Sequence, residues 1–208
     1  MRSILTVTAA ATQANRRLCT LAAVKQQLAI TVSTYDAALT ALIDAASAAI
    51  ARYCDRGALA QETVTEEWRN VYQETPLITE RRPITDVESV VVDGTTLAEA
   101  DYQVDAASGH LWRLADDERV WWSARKVVVT YTAGFLVPDQ EGATLPLEIS
   151  QAAVITVAAW RKAENRDPLL RSDTTEGVGG SSWIATADMG ALPPQAEALL
   201  REHVARHV

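Results

Sequence analysis

The sequence holds little of what active-site chemistry draws on. Three histidines and two cysteines occur in 208 residues. Cys19 and Cys54 cannot make a disulfide framework; each lies in or beside a helical segment and reads as a buried free thiol. Long apolar runs are missing too. The most apolar stretch, AALTALIDAASAAIA at 37–51, is alanine-rich and broken by Asp44, short of the roughly 20 residues that span a bilayer. No membrane partner is expected. The N-terminal MRSILTVTAAATQANRR sets one basic residue ahead of a brief apolar patch. A signal peptide needs a longer apolar region, so export is not expected.

Catalytic motifs are absent as well. EGVGGSS at 176–182 is glycine-rich, but a phosphate-cradling loop needs Lys and then Ser or Thr after its second glycine, between a strand and a helix. The Lys is missing, and the stretch reads as a flexible loop. His203 and His207 stand four apart, as a metal-binding pair would, yet no zincin Glu lies between them and no third ligand is evident. They read as a solvated or partner-facing helix face. Asp116, Asp117 and Glu118 form an acidic triplet in a turn, with a solvated loop as its reading. His110 abuts a turn and a strand, and no serine stands in a Gly-x-Ser-x-Gly context. No general base is offered. We expect no catalytic residue, no metal and no cofactor.

Positive charge is scarce. The chain carries 19 basic and 27 acidic residues, a net charge of −8. Arg16-Arg17, Arg81-Arg82, Arg125-Lys126 and Arg161-Lys162 are the adjacent basic pairs. Tight nucleic-acid binding wants a dense basic stripe, so it is excluded. An acidic surface still suits a place where DNA passes without sticking, because like charge repels phosphate.

What is present is a change of period. SILTVT at 3–8 reads as a short strand. Thr20 can cap a helix from Leu21, with Val24 and Leu28 on one face. Ser33 or Thr34 is the cap candidate for a second helix, with Asp36 placed for a near capping box. Its stripe is Tyr35, Leu39, Leu42, Ile43, Ala46, Ile50 and Tyr53, and Gly57 is expected as its C′ glycine. From Gln61 to Thr132, β-type runs alternate with turns: ETVTEEW, ESVVVDG, DYQV, HLWRL and KVVVTYTAG. Asp93-Gly94 is a hairpin dipeptide, and Ser108-Gly109 marks another turn. Trp68, Trp112, Trp121 and Trp122 fall here and read as aromatic packing of a small sheet.

Pro146 can open a third helix at N1, with Ile149, Ala152, Ala153, Ile155 or Thr156, Ala159 and Trp160 as a small-residue face. Residues 164–192 read as a long flexible arm. Pro193-Pro194 open a last helix, QAEALLREHVARHV, with Ala196, Leu199, Leu200 and Val204 on one face. The expected fold class is α+β: a bundle of about four helices, an inserted small antiparallel β domain, and a flexible arm before the C-terminal helix. The expected boundaries are 1–58 (N-terminal helical part), 59–135 (inserted β domain) and 136–208 (C-terminal helical part).

The order of these pieces carries a resemblance. LAAVKQQL is followed by ALTALIDAASAAIARYCDRGAL, RRPITDVESVVVDG, DYQVD, VVVTYTAGF, LPLEISQAAVITVAAWRKAENR and LPPQAEALLREHV. The most telling are Lys25 with Leu28, Arg82-Pro83-Ile84 leading to Val87 and Val90, Tyr131-Thr132-Ala133-Gly134, and Leu145-Pro146 with Gln151-Ala152. Over residues 18–205 the chain resembles the head–tail connector (adaptor, or head-completion) family of tailed bacteriophages and gene-transfer particles, in its longer members with a β insertion.

The resemblance implies a virion protein, made in the host bacterial cytoplasm and placed at the head–tail interface. It implies a ring, usually twelvefold, bound beneath the portal and extending the DNA channel. The implied partners are the portal protein, a tail terminator or other tail protein, and further copies of the chain; the free subunit can be a monomer. DNA would pass through without specific binding. The helices would form the ring and the portal contact, with the β insertion facing outward or toward the tail.

Two interface regions are expected on this reading: the arm around Arg166, Arg171 and Trp183, and the last helix through Leu199, Leu200, Arg201 and Val204. Removal of 193–208 is expected to leave a folded protein that cannot join capsids. The alternative reading, from a different class, is an aromatic-rich module binding carbohydrate or peptide, which requires Trp121 or Trp122 exposed in a concave site.

Overall fold

The computed structural model describes residues 3–164, 172–175, 179–182 and 192–205. The chain divides into two compact units, Met1–Thr12 with Ala58–Leu136, and Gln13–Gly57 with Val137–Val208. The first strand, grouped with the helical part in the sequence reading, thus lies in the β unit, because it pairs there.

The β unit contains β1 (Ile4–Ala9), β2 (Glu62–Glu74), β3 (Leu77–Ile78), β4 (Ile84–Val92), β5 (Thr95–Thr96), β6 (Tyr102–Asp105), β7 (His110–Ala115), β8 (Glu118–Val120) and β9 (Trp122–Ala133). One antiparallel sheet runs in the order β1-β2-β9-β4-β5; a smaller one runs β3-β7-β6, with β8 also on β7. ETVTEEW proves to be the start of a 13-residue strand, because β9 pairs with it from Glu62↔Ala133 to Glu74↔Trp122. Alternation puts Val64 and Trp68 of β2, and Val127, Val129 and Tyr131 of β9, inward. Leu77 and Leu111 of the smaller sheet join the same buried cluster. Each large apolar side chain so buried contributes roughly 1.5–3 kcal/mol. Trp122 is fully buried and donates its Nε1–H to the Leu111 carbonyl at 3.0 Å.

The turns follow local chemistry. Asp93 (φ 48°) and Gly94 (φ 90°) close the β4–β5 hairpin with both central residues at positive φ, as a type I′ turn requires. At the end of β9, Gly134 has φ +113°, and a Cβ there would stand 2.4 Å from the Ala60 carbonyl oxygen. The close approach lets Gly134 N–H reach Pro83 O and Phe135 N–H reach Leu59 O, both at 2.8 Å. Only glycine fits both the torsion and the space.

The helical unit holds α1 (Leu21–Leu28), α2 (Asp36–Tyr53), α3 (Leu147–Ala163) and α4 (Pro194–Leu200). Thr20 Oγ1 accepts from Ala23 N–H at 3.1 Å and caps α1. The capping box expected for α2 is not made. Tyr35 occupies the cap without a side-chain bond, and Asp36 instead pairs with Lys25 Nζ at 2.7 Å. α2 also ends before Gly57. Asp55 takes the left-handed conformation (φ 52°), and Arg56 N–H reaches back to Ala51 O at 3.0 Å. Asp tolerates that torsion through its short polar side chain.

Pro146 sits at the cap of α3, one position before N1. The face of α3 that is buried is Ile149, Ala152, Ala153, Thr156, Val157 and Ala158, so the shared position falls to Thr156, whose hydroxyl donates to Ala152 O at 2.7 Å. Side chains this small let α3 pack against α1, α2 and α4 alike. The last helix is shorter than its periodicity suggests. It gives way at Arg201–His203 to a 3-10 turn, and Ala205 N–H bonds Cys54 O at 2.8 Å. Within the stretch read as an arm, β10 (Ser172–Thr175) and β11 (Gly179–Ser182) pair antiparallel, from Ser172↔Ser182 to Thr175↔Gly179. The architecture is mixed helix and antiparallel sheet, the α+β class.

Candidate functional site

One carboxylate lies deep inside the β unit. Strand alternation that turns Val64 and Trp68 inward also turns in Glu66, which is fully buried. Glu66 Oε2 accepts from the Tyr131 hydroxyl at 2.7 Å and from Glu80 N–H at 3.1 Å, and Oε1 accepts from the Ser3 hydroxyl. Tyr131 O in turn accepts from Arg81 N–H at 3.2 Å. Burial raises the Glu66 pKa, against the lowering effect of the Ser3, Tyr131 and Glu80 hydrogen bonds. Burial, then the Glu66 charge, raises that of Tyr131. The network ties together the residue before β1, strands β2 and β9, and the segment after β3. Nothing in the sequence pattern marked Glu66 except its even spacing from Val64 and Trp68.

The other polar candidates resolve into structure. Asp116 (φ 53°) and Asp117 (φ 62°) are the two turn residues between β7 and β8, which accounts for the acidic triplet. His110 packs edge-on to Trp112 at 5.5 Å, and the Arg119 guanidinium stacks 4.1 Å over the same indole. His203 lies in the 3-10 turn and His207 lies outside the described residues. Among the described residues no group of three or more potential ligands could hold a metal ion. Cys19 and Cys54 are free and buried. Burial pushes the Cys19 thiol up to about 12 and the Cys54 thiol to about 11. Neither is a poised nucleophile, since thiolate is the reactive form.

The surface is where exposed groups of other kinds collect. Trp121 is 58% exposed and Tyr72 75% exposed, whereas Trp68 and Trp122 are core. Ile4 is 60% and Val7 39% exposed on β1, an edge strand whose outer side has no strand beside it among the described residues. In the helical unit Leu147, Val32 and Tyr35 are exposed, with the Arg161 guanidinium 4.9 Å over the Tyr35 ring.

The expected interface residues separate. Arg201 is exposed, and Leu199 and Val204 are half-buried. Leu200 is fully buried, as are Ala196 and Leu192. Leu200 thus packs in the core of its own unit. Removal of 193–208 would take away Ala196 and Leu200, which are buried, and the packing of α4 on α3. Arg166, Arg171 and Trp183 lie outside the described residues.

The family model described as "Head completion protein" matches residues 17–205. No curated protein matches the chain. Solved structures do. A chain in "Neck of empty GTA particle computed with C6 symmetry" superposes with a TM-score of 0.60 at 17% identity, covering 99% of this chain and 97% of that one. A chain in "Virion of native gene transfer agent (GTA) particle" gives 0.59 at 16% identity, and one in "Neck of native GTA particle computed with C12 symmetry" gives 0.59 at 18%, each with the same coverage of 99% and 97%. At these identities the likeness is one of fold.

Proposed function

The chain belongs to the head completion protein family, and on that premise we propose that it is a structural virion protein of the head–tail junction. It forms a ring beneath the portal, twelvefold in our reading, which joins capsid to tail and extends the DNA channel. The observation that carries this is the family match over residues 17–205, supported by a fold shared end to end with chains of neck particles. Its partners are the portal, a tail terminator or other tail protein, and its own copies.

The physical character of the chain fits. A net charge of −8 per subunit, repeated around a ring, makes a channel wall that repels phosphate and lets DNA slide. Among the described residues, Glu66 is held by internal hydrogen bonds and Asp116 and Asp117 form a turn, which suits a structural role. In the particle the helical unit meets the portal, and the β unit faces outward or toward the tail. A map of the assembled particle with the β unit lining the channel would overturn that placement.

The experiment is deletion of the gene in the particle-producing strain. We expect DNA-filled heads without tails, restored by the gene supplied in trans. Tailed, infectious or transducing particles in its absence would refute the role. The exposure of Trp121 is the one observation that favours the ligand-binding alternative. A shift of its fluorescence on titration with a glycan or peptide panel would support that reading instead.

A further inference from the structure

Among the described residues, two β elements have an edge with no strand beside it. β1 is an edge strand of the five-stranded sheet, six residues long, with the sequence ILTVTA. Natural edge strands are usually blunted by lysine, proline, inward-pointing charge or extreme shortness. β1 has no charge and no proline, and only a register shift between Val7 and Ala9 interrupts it. The opposite edge of the same sheet, β5, is two residues long and so protected by its shortness. Ile4, Thr6 and Val7 are exposed, while Leu5 packs against the core of the β unit.

The second element is the ribbon of β10 and β11, which pair with each other and with no other strand among the described residues. A lone two-stranded ribbon is marginal in water and gains most from a third strand. Its strands, SDTT and GGSS, hold no large apolar side chain. Such a ribbon has no hydrophobic face with which to build a core, and main-chain hydrogen bonds are what it can offer. Gly179 and Gly180 carry no Cβ, which permits close approach of another backbone. The donor is thus polar and backbone-rich, and the acceptor is an uncharged edge with β-branched residues at Ile4, Thr6, Val7 and Thr8. The two match as a strand-addition pair.

We propose that in the ring the β10–β11 ribbon of one subunit adds to the β1 edge of the next. The inference rests on the ring reading above and names the contact that closes it. Because donor and acceptor are different surfaces of the same chain, the contact is heterologous, the type that generates a ring when its rotation closes. It also gives the uncapped edge a native occupant, which would otherwise template non-specific association.

The test is disulfide mapping in the portal-bound assembly. Thr6→Cys is combined in one chain with a cysteine at each of positions 172–175 and 179–182 in turn, which scans every register. Cys19 and Cys54 are buried with raised pKa values, so their background under mild oxidation is low. We expect at least one register to give a ladder of covalent multimers on a denaturing gel, and each single-cysteine variant to give none. Monomeric cross-linked chains only would mean that the ribbon folds back on its own subunit, and would overturn the proposal. Thr6→Cys alone forming dimers would put β1 against β1, and a link to the portal or a tail protein would put a foreign strand there; both overturn it. Assembly on the portal with no cross-link in any register sinks this contact and leaves the connector role standing. Failure of the unmodified protein to assemble on the portal sinks both.

Discussion

The Tyr131 hydroxyl donates to Glu66 Oε2 at 2.7 Å inside the β unit, with both residues fully buried. A carboxylate held there without a cationic partner costs stability when ionised, and its hydrogen bonds offset only part of that cost.

Glu66→Gln should therefore be tolerated, whereas Glu66→Ala should not. A glutamine keeps an oxygen for Tyr131 and Glu80 and can donate to Ser3. Alanine leaves those groups without an acceptor, at roughly 1–3 kcal/mol for each buried one. Urea unfolding of the two variants checks the order.

The same pair predicts a pH dependence. The native state holds the Glu66 proton more tightly than the unfolded chain does, because the native pKa is raised. Stability of the wild type relative to Glu66→Gln should then be greatest below the ordinary carboxylate pKa. It should fall as pH rises through the raised native pKa, and level off above it. Unfolding free energies of both proteins across pH measure this. A difference that grows with pH would contradict the assignment.

Gly134→Ala should destabilise by roughly 1–3 kcal/mol, from its torsion and the encounter with the Ala60 carbonyl. Gly94→Ala, where φ is +90° but nothing stands within 4 Å, should lose about 1 kcal/mol. Thermal or urea denaturation of the two compares torsion with and without a clash.

Leu200→Ala should cost about 2–5 kcal/mol, as expected for a filled core position. The neighbouring Arg201→Glu should change stability by no more than about 0.5 kcal/mol, because its side chain is exposed. If the last helix meets the portal or a neighbouring subunit, Arg201→Glu should still reduce incorporation into particles. Particle composition by gel densitometry reads that, with circular dichroism confirming the fold.

Much of this architecture was legible in the sequence because its signals are local. Thr20 capped α1 as its spacing implied, Asp93-Gly94 made its hairpin, and the valines of VVVTYTAG alternated as a half-buried strand must. Where tertiary partners decide, the pattern misled. Asp36 left its capping position for Lys25, and Leu200, expected at an interface, is buried within its own unit. Glu66 was invisible for a related reason. A charged residue at an inward position reads as a solvent-facing one until the hydroxyls of Ser3 and Tyr131 are seen around it, and these come from 63 and 65 residues away. Trp121 and Trp122 show the limit most simply: Trp122 opens β9 and is buried, Trp121 lies just before the strand and is exposed, and composition alone cannot say which is core.

The most direct test of the connector account is the native mass of the purified protein by light scattering, alone and mixed with its cognate portal ring. The account predicts a new species heavier than the portal by a full ring of subunits, twelve in our reading. Folded protein and intact portal that remain separate at every mixing ratio would contradict it.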